Sequence, residues 1–354
     1  MKVQHRFHRT AGVVVIGLAA AGLAACSSDG DEPAAPGSST ASDQPAEDPA
    51  EFYQGKTVTV VIPYDPGGGF DSFVRLLEPS LEAQLDGVQV NLENRPGGGG
   101  LIGANEIYNA KPDGLTFGLI NYPGAVFAQA TDTEGVTFDN ADWTFLARLG
   151  AINPIVYTGK DSGYPDFPSI MNATEPITFG IGGAGSDAYY ATVILSNLLG
   201  FPANIVAGYS GGGEADAALL VGEVDAGVGS VDATLTRIKD TGTFIDAIIS
   251  TEPNPKIPDV PVITSFGTDE QKDVLTALAS VYDLERTLVA PPGVPEDRVE
   301  FLADAIYQAT QDQAYQDAMT EAGLTSSPLP RAEVQSRADA VQQSVDTLTS
   351  YIDE

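Results

Sequence analysis

The sequence is poor in the side chains that carry most enzymatic and metal chemistry. It has two histidines, His5 and His8, and a single cysteine, Cys26, all near the start of a 354-residue chain. Serine hydrolases need a histidine base, and zinc or copper sites need histidine or cysteine ligands. Since the remaining residues contain neither side chain, these classes are excluded for the folded part of the protein.

Basic residues are also scarce. The chain has 17 Lys and Arg against 49 Asp and Glu, a formal net charge of −32. Proteins that bind nucleic acid need Lys and Arg to contact phosphates, so a nucleic-acid partner is not expected. No EF-hand spacing is present for calcium, and no acidic pair stands out for glycosidase chemistry. We therefore predict no cofactor, no metal and no enzymatic activity.

The chain begins like an exported protein. Three basic residues precede the apolar run 11–25, which is too short for a stable membrane helix and is typical of a secretory signal peptide. Residues 23–26, LAAC, fit a lipobox, in which the cysteine is lipidated after cleavage. We predict a signal peptide at 1–25 and an extracytoplasmic protein anchored to the cell membrane by Cys26. The alternative is an ordinary cleaved signal that leaves a free thiol.

Residues 26–51 are predicted to form a tether after the lipidated cysteine. They are rich in small, acidic and proline residues and contain no apolar run. Such a composition cannot bury a core, so the segment is expected to be disordered and to hold the folded part away from the membrane.

Residues 52–354 alternate between strand-like and helix-like segments, which predicts an α/β fold with mixed, mostly parallel sheets. A second alternating series begins near residue 154, and only helical patterns follow the strand-like RTLVA. The length suits two lobes joined by crossing strands. We predict lobe 1 at 52–153 plus 284–354 and lobe 2 at 154–283. Pro79 predicts a kink or a late start in the first long helix.

Two motifs of other protein classes occur in the second half of the chain. Residues 180–185, GIGGAG, match a dinucleotide-binding pattern, but no acidic residue follows at the spacing that a ribose needs. Residues 208–212, GYSGG, match a nucleophile elbow, but no histidine follows it. A Ser-Lys hydrolase stays open as a formal alternative.

Glycine-rich corners precede three predicted helices, at 67–69, 182–186 and 210–213. A helix N-terminus offers free N–H groups and the positive end of the helix dipole, so it binds anions without a basic side chain. Strand-to-helix turns are also where α/β folds bind ligands. The alternative for each corner is a tight turn with close helix packing. Taken together, the corners favour a site for a carboxylate.

The same residues carry a resemblance to a known family. Residues 58–77, VTVVIPYDPGGGFDSFVRLL, resemble the opening of the substrate-binding proteins of tripartite tricarboxylate transporters, the Bug-type receptors. The block ENRPGGGGLIGANEIYNAKPDGLTFGLIN, together with GYSGGGEADAALLVGEVDAG, is similar to two further family blocks, and the resemblance covers about residues 56–327. It implies a two-lobe periplasmic-binding-protein (Venus flytrap) fold, type II-like, whose ligands are small organic anions held between the lobes.

The resemblance also implies a set of ligand-binding residues. The first loop is 64–71, the second is 182–189 with the Ser186 hydroxyl as a donor, and Asn121 and Tyr209 border the cleft. The predicted ligand-binding residues are Tyr64, Asp65, Pro66, Gly67, Gly68, Gly69, Phe70, Asp71, Asn121, Gly183, Ala184, Gly185, Ser186, Tyr189 and Tyr209. Arg95 is expected to be structural.

Two departures from the family pattern leave the ligand open. The second loop has Tyr189 or Tyr190 where members often have histidine, and the first has Tyr64-Asp65 where they commonly have Phe-Ala. A dicarboxylate or tricarboxylate, an amino acid and an aromatic acid all remain, and the extra acid and phenols suit a phenolic, amine-bearing or less charged ligand. Asp71 can cap the helix, pair with Arg75 or face the ligand, and the first two are favoured.

The function predicted from the sequence is that of a monomeric solute-binding lipoprotein. It captures a small organic acid and delivers it to separate permease subunits of a tripartite tricarboxylate-type transporter. A receptor that presents its ligand to a sensor kinase is the alternative, and a secreted enzyme is the third class.

Overall fold

The computed structural model describes residues 48–183, 186–209 and 211–352. The predicted signal peptide, Cys26 and most of the tether lie outside these residues. In chain order the strands are β1 (Thr57–Ile62), β2 (Gln89–Asn94), β3 (Thr116–Asn121), β4 (Thr144–Gly150), β5 (Pro154–Thr158), β6 (Ile177–Ile181), β7 (Ala203–Ala207), β8 (Ala226–Ser230), β9 (Phe244–Ile248), β10 (Arg286–Ala290) and β11 (Leu329–Pro330).

The helices alternate with the strands until β9 and dominate the chain afterwards. They are α1 (Pro49–Tyr53), α2 (Gly69–Gln84), α3 (Leu101–Tyr108), α4 (Tyr122–Ala130), α5 (Phe167–Met171), α6 (Asp187–Leu199), α7 (Gly212–Leu220), α8 (Val231–Ile238), α9 (Asp269–Tyr282), α10 (Glu296–Gln311), α11 (Gln313–Glu321), α12 (Arg331–Gln342) and α13 (Val345–Thr349). Short 3-10 helices occupy Gly98–Gly100 and Ile263–Ser265. Within the described residues, no helix has the length and apolarity that crossing a membrane requires.

The strands form two mixed sheets. The first has six strands in the order β11-β4-β10-β3-β1-β2, and the second has five in the order β7-β6-β8-β5-β9. In the first, β1 pairs parallel with β2 and β3, whereas β10 runs antiparallel to β3 and β4. In the second, β6 pairs parallel with β7 and β8, whereas β5 runs antiparallel to β8 and β9.

The mixed α/β architecture predicted from the sequence is confirmed, with one correction. Antiparallel pairs are at least as frequent as parallel ones among the described strands, so the expected excess of parallel pairing is absent. The reason is that β5 and β10 each enter a sheet directly after the chain crosses from the other half of the molecule, at 151–153 and 283–285. A strand that follows such a crossing need not obey the βαβ rule that imposes parallel order.

Side-chain patterns explain the elements that matter most for the site. The β-branched run of β1 is buried on both faces from Val60 to Ile62, as expected for a strand in the middle of a covered sheet. Helix α2 packs its apolar face, including Phe73 and Leu77, under the first sheet, where α10 and α11 join it. It begins at Gly69 and continues past Pro79, so a late helix start is wrong.

The sheet membership of the strands agrees with the predicted lobe division, but α9 contacts both halves. It packs against α6 of the second half and against α4, α12 and α13. The boundaries at 153/154 and 283/284 therefore remain a prediction.

One buried acid in the second sheet has no partner. Asp246 on β9 is 3% exposed, and neither carboxylate oxygen has a hydrogen-bond partner among the described residues. The nearby Thr158 hydroxyl donates to the Tyr164 carbonyl instead. Burial raises the pKa of Asp246 to about 7, and the charge of Asp166 adds to the rise.

We expect Asp246→Asn to stabilise the protein in a pH-dependent way. The folded-state pKa lies above the unfolded value of 3.8, so unfolding releases a proton and stability falls as the pH rises from about 4 to 7. The neutral amide removes this loss. Thermal unfolding followed by circular dichroism should show a gain that is about 1–3 kcal/mol larger at pH 8 than at pH 5.

Asp259→Asn is the matched control, because Asp259 is exposed. It should change the melting temperature equally at both pH values. An equal effect of Asp246→Asn at pH 5 and pH 8 would contradict the assignment of a buried, proton-binding carboxyl.

Candidate ligand-binding site

The loop between β1 and α2 is held by the buried carboxylate of Asp71. Asp71 is 2% exposed and accepts hydrogen bonds from the Gly67 N–H (2.8 Å), Arg75 Nε (2.8 Å) and Asn94 Nδ2 (2.9 Å). These bonds lower its pKa against the effect of burial. Gly67 has a φ of 82°, a conformation that glycine adopts without strain. Asp71 therefore shapes the loop and does not line a cavity.

Tyr64 joins this loop to a second glycine-rich corner. Its hydroxyl donates to the Gly99 carbonyl (2.8 Å) and accepts from Asn121 Nδ2 (2.9 Å). Its ring packs on Phe70 with centroids 4.4 Å apart. A Cβ at Gly100 would lie 3.0 Å from the Tyr64 hydroxyl, so a side chain there would displace it. The corner 97–100 is thus fixed against the first loop.

The loop between β6 and α6 contributes Ser186 and Asp187. Ser186 caps α6: its Oγ accepts from the Tyr189 N–H (3.2 Å) and donates to the Gly183 carbonyl (2.9 Å). Asp187 Oδ1 accepts from Asn121 Nδ2 at 3.3 Å, which links the end of β3 to the start of α6. Tyr282 donates its hydroxyl hydrogen to the Asp187 carbonyl. Ala184 and Gly185 lie outside the described residues.

The third corner precedes α7. Tyr209 donates to Glu223 (3.2 Å), and Gly211 starts the turn into the helix. Arg237 Nη2 lies 3.3 Å from the position that a Cβ on Gly212 would take. The Arg237 guanidinium is anchored by an ion pair to Asp216, which is 1% exposed.

These corners surround one cleft with a volume of about 730 Å³. It lies between the carboxyl ends of strands from both sheets, as expected for a ligand site in such folds. Of the predicted residues, Tyr64, Asp65, Gly68, Gly69, Phe70, Ser186 and Tyr209 line it. Others do not line it: Pro66, Gly67, Asp71, Asn121, Gly183 and Tyr189.

The residues that do not line the cleft have other positions. Asn121 lies behind Tyr64, and its Oδ1 accepts from the Gly124 N–H and caps α4. Tyr189 packs edge-on against Tyr190. Arg95 pairs with Glu93 and Glu106 at the surface, as the structural assignment predicted.

Several lining residues were not predicted from the sequence. They include Pro96, the glycines 97–100, Ser230, Arg237, Glu285 and Arg286. The glycines of ENRPGGGG entered the prediction only as part of the family resemblance. Four glycines before a helix form the same pattern as residues 67–69 and could have indicated a ligand-binding corner. Glu285 and Arg286 lie where an apolar strand begins. Two adjacent residues of opposite charge at the start of a buried strand could have indicated a functional site.

Arg286 lies at the floor of the cleft without a carboxylate partner. It is 4% exposed, its guanidinium lies 4.4 Å above the Phe73 ring, and its Nε has no hydrogen-bond partner among the described residues. Its Nη2 lies 3.3 Å from the position of a Cβ on Gly69. Because Gly69 has no side chain, the Arg286 guanidinium can approach the start of α2.

Helix starts around the cleft differ in how they are capped. Helices α6 and α8 are capped by Ser186 and Ser230. Helices α2, α3 and α7 have no side-chain cap. An uncapped N-terminus retains N–H donors for another acceptor. The cleft thus has uncapped helix starts from both halves of the molecule, and those of α2 and α7 each lie beside an arginine, which is an arrangement for binding an anion. Within the described ranges, no cluster of three or more His, Cys, Asp or Glu is placed to hold a metal ion.

Known proteins share this architecture. BugT of Bordetella pertussis is 24% identical over 281 residues, covering 78% of this chain and 83% of BugT. The structure of MatC from Rhodopseudomonas palustris with bound malate matches with a TM-score of 0.65 at 25% identity, covering 84% of this chain and 99% of MatC. The periplasmic binding protein BugD matches with a TM-score of 0.65 at 21% identity, covering 84% of this chain and 98% of BugD.

These structures confirm the two-lobe periplasmic-binding-protein fold that the sequence predicted. The family model for the tripartite tricarboxylate transporter family receptor, TctC, matches residues 73–353. The match begins inside α2, includes the described strands from β2 to β11, and contains the cleft-lining residues other than those at 64–70. The chain belongs to the tripartite tricarboxylate transporter receptor family.

Proposed function

We propose that this protein is an extracytoplasmic receptor that captures a small organic carboxylate in the cleft and delivers it to the membrane subunits of a tripartite tricarboxylate-type transporter. The observation that carries the proposal is the pair of uncapped helix N-termini, α2 and α7, that border one cleft from opposite sheets. The relative MatC, which was solved with malate, supports the ligand class.

The donors suit an anion of modest size. The N–H groups of Gly69 and Phe70, in the first turn of α2, have no acceptor among the described residues. Each charge-assisted hydrogen bond contributes roughly 1.5–3 kcal/mol, and such bonds at both ends of a ligand, less the cost of ordering, are enough for micromolar affinity.

Binding without catalysis is the role that the lining residues favour. The cleft offers no histidine or cysteine as a nucleophile or base, and the Ser186 hydroxyl is engaged in capping α6. A ligand that contacts both α2 and α7 would favour a closed arrangement of lobe 1 (52–153 plus 284–354) and lobe 2 (154–283), because it has more partners when the lobes approach.

Gly68→Val is expected to abolish binding while the protein stays folded. Gly68 has an extended backbone (φ −76°, ψ 171°) that accepts valine, and a Cβ there meets only the Asp65 carbonyl at 3.4 Å. The larger side chain enters the cleft beside α2. Thermal shift over a panel of small carboxylates and amino acids identifies a ligand of the wild type. The variant should lose that shift and keep its unliganded melting temperature within a few degrees.

Ser186→Ala tests the second loop in the same assay. Loss of the cap costs about 1 kcal/mol of stability, and loss of a polar group in the cleft should weaken ligand binding further. Thr268→Ala is the matched control, because Thr268 caps α9 away from the cleft and should reduce stability alone. If Gly68→Val and Ser186→Ala both bind like the wild type, the cleft is not the ligand site.

We also propose that a signal peptide at 1–25 directs export and that lipidated Cys26 anchors the protein through the 26–51 tether. Cys26→Ala should abolish incorporation of labelled palmitate and move the protein from the membrane fraction to the soluble extracytoplasmic fraction. Ligand binding by the folded part should not change. Unaltered membrane association of the variant would contradict lipidation.

A further inference from the structure

Two acids share the cleft floor with Arg286. Glu285 is 1% exposed, lines the cleft, and its Oε2 has no hydrogen-bond partner among the described residues. Asp187 also lines the cleft, where it is half-buried and its carboxylate receives the 3.3 Å bond from Asn121 and is stabilised by the backbone N–H groups of Asp187 and Ala188. Burying an unpartnered carboxyl is costly, so its presence in a binding cleft indicates a ligand group that it can pair with.

The charges of the floor do not suit a ligand that carries only carboxylates. Arg237 is already neutralised by Asp216, so Arg286 is the remaining positive side chain among the described lining residues. Against it stand Glu285 and Asp187, with Asp65 exposed at the rim. A second carboxylate could bind at the floor only while these acids are protonated, because it repels them in their charged form.

A group with N–H donors or a positive charge would instead satisfy both acids. Its carboxylate can then reach Arg286 and the N–H groups at the start of α2, since Gly69 lies beside the guanidinium. The neighbours that face the acids are the hydroxyls of Tyr64 and Tyr282 and the guanidinium of Arg286.

We propose that the cleft recognises a zwitterion, an amino acid whose ammonium group is bound by Glu285 and Asp187 and whose carboxylate is bound by Arg286 and the start of α2. This inference rests on the proposed function, because it assigns the two ends of the ligand in the same cleft. It excludes dicarboxylates without an ammonium group as the preferred ligands.

Proton uptake and release give this proposal a second readout. Burial raises the pKa of Glu285 well above its usual value, and the charge of Asp187 adds to the rise while Arg286 opposes it. Burial also raises the pKa of Asp187. A bound ammonium group lowers both pKa values, so binding of a zwitterion should release protons over the pH range in which these acids titrate. A carboxylate that accepts a hydrogen bond from protonated Glu285 would release none.

The first experiment compares matched amino and hydroxy acids on the wild-type protein. The probes are the twenty common amino acids and the hydroxy acids in which a hydroxyl replaces the ammonium group, such as L-aspartate with L-malate, L-phenylalanine with L-phenyllactate and L-glutamate with 2-hydroxyglutarate. We expect at least one amino acid to raise the melting temperature and to bind about tenfold or more tightly than its hydroxy partner.

The second experiment uses isothermal titration calorimetry on variants and in buffers of different ionisation enthalpy. Glu285→Gln and Asp187→Asn keep the side-chain shape and remove the charge, and each should weaken amino-acid binding about tenfold or more with little effect on the hydroxy acid. Glu300→Gln, on the exposed side of α10, is the matched control. The wild type should release protons on binding, and the Glu285→Gln variant should release fewer.

The outcomes separate the two proposals. If a dicarboxylate or hydroxy acid binds as tightly as every matched amino acid, or if amino-acid binding releases no protons at any pH at which the protein stays folded, the zwitterion proposal is overturned while the receptor function stands. If no amino acid binds but another carboxylate does, the zwitterion proposal is likewise overturned and the receptor function stands. If no carboxylate of either kind binds the wild type, both proposals fail. Because proton release is measured on the wild type, a misfolded variant does not prevent a decision.

Discussion

The cleft depends on one hydrogen-bonded group, the side chain of Asn121. Its Oδ1 caps α4 at the Gly124 N–H, and its Nδ2 donates to the Tyr64 hydroxyl (2.9 Å) and to Asp187 (3.3 Å). Tyr64 extends the chain of bonds to Gly99. A single 5%-exposed amide thus joins the end of β3, the first loop, the second glycine corner and the start of α6. Because its polar atoms are buried and satisfied together, loss of one bond would weaken the others.

How far the sequence could predict this site differs from residue to residue. Tyr64, Gly68 and Gly69, which line the cleft, could be predicted because a strand, a glycine run and a helix follow one another within a few residues. Such a local pattern can be recognised from the sequence alone. Asp71 was open between three roles, and the structure shows pairing with Arg75 and a bond from the Gly67 N–H ahead of the helix, whereas α2 has no side-chain cap. Glu285 and Arg286 were missed because antiparallel pairing of β10 with β3, which brings them to Asn121, joins residues far apart in the chain.

The overall charge bears on which anions can occupy this site. A formal net charge of −32 repels a dianion at long range and leaves a zwitterion unaffected. At physiological salt the field decays over about 8 Å, so it influences encounter more than the bound state. In the proposed mode of binding, recognition depends on groups at the cleft floor: the uncapped N–H donors and Arg286 bind the ligand carboxylate, and Glu285 and Asp187 bind its ammonium group. The same balance explains why an acidic exported protein can have an anion site with few basic residues.

In the proposed mode of binding, Asp187 couples ligand binding to the relation between the two halves of the molecule. Several polar contacts link residues of the second sheet's half to the first. Asn121 bonds Asp187 at the cleft floor, Asn197 Nδ2 donates to the Tyr351 carbonyl (2.6 Å), and Asp232 accepts from the Thr325 N–H (2.9 Å). The Asp232 contact lies outside the cleft and involves no lining residue. A ligand ammonium that binds Asp187 competes with the 3.3 Å bond from Asn121, whereas it leaves Asp232 untouched. The ligand can therefore change the contact at the cleft floor while the Asp232 contact continues to hold the two halves together. A ligand shifts the populations of two lobe arrangements only when it interacts differently with each of them, and competition at Asp187 alone provides such a difference.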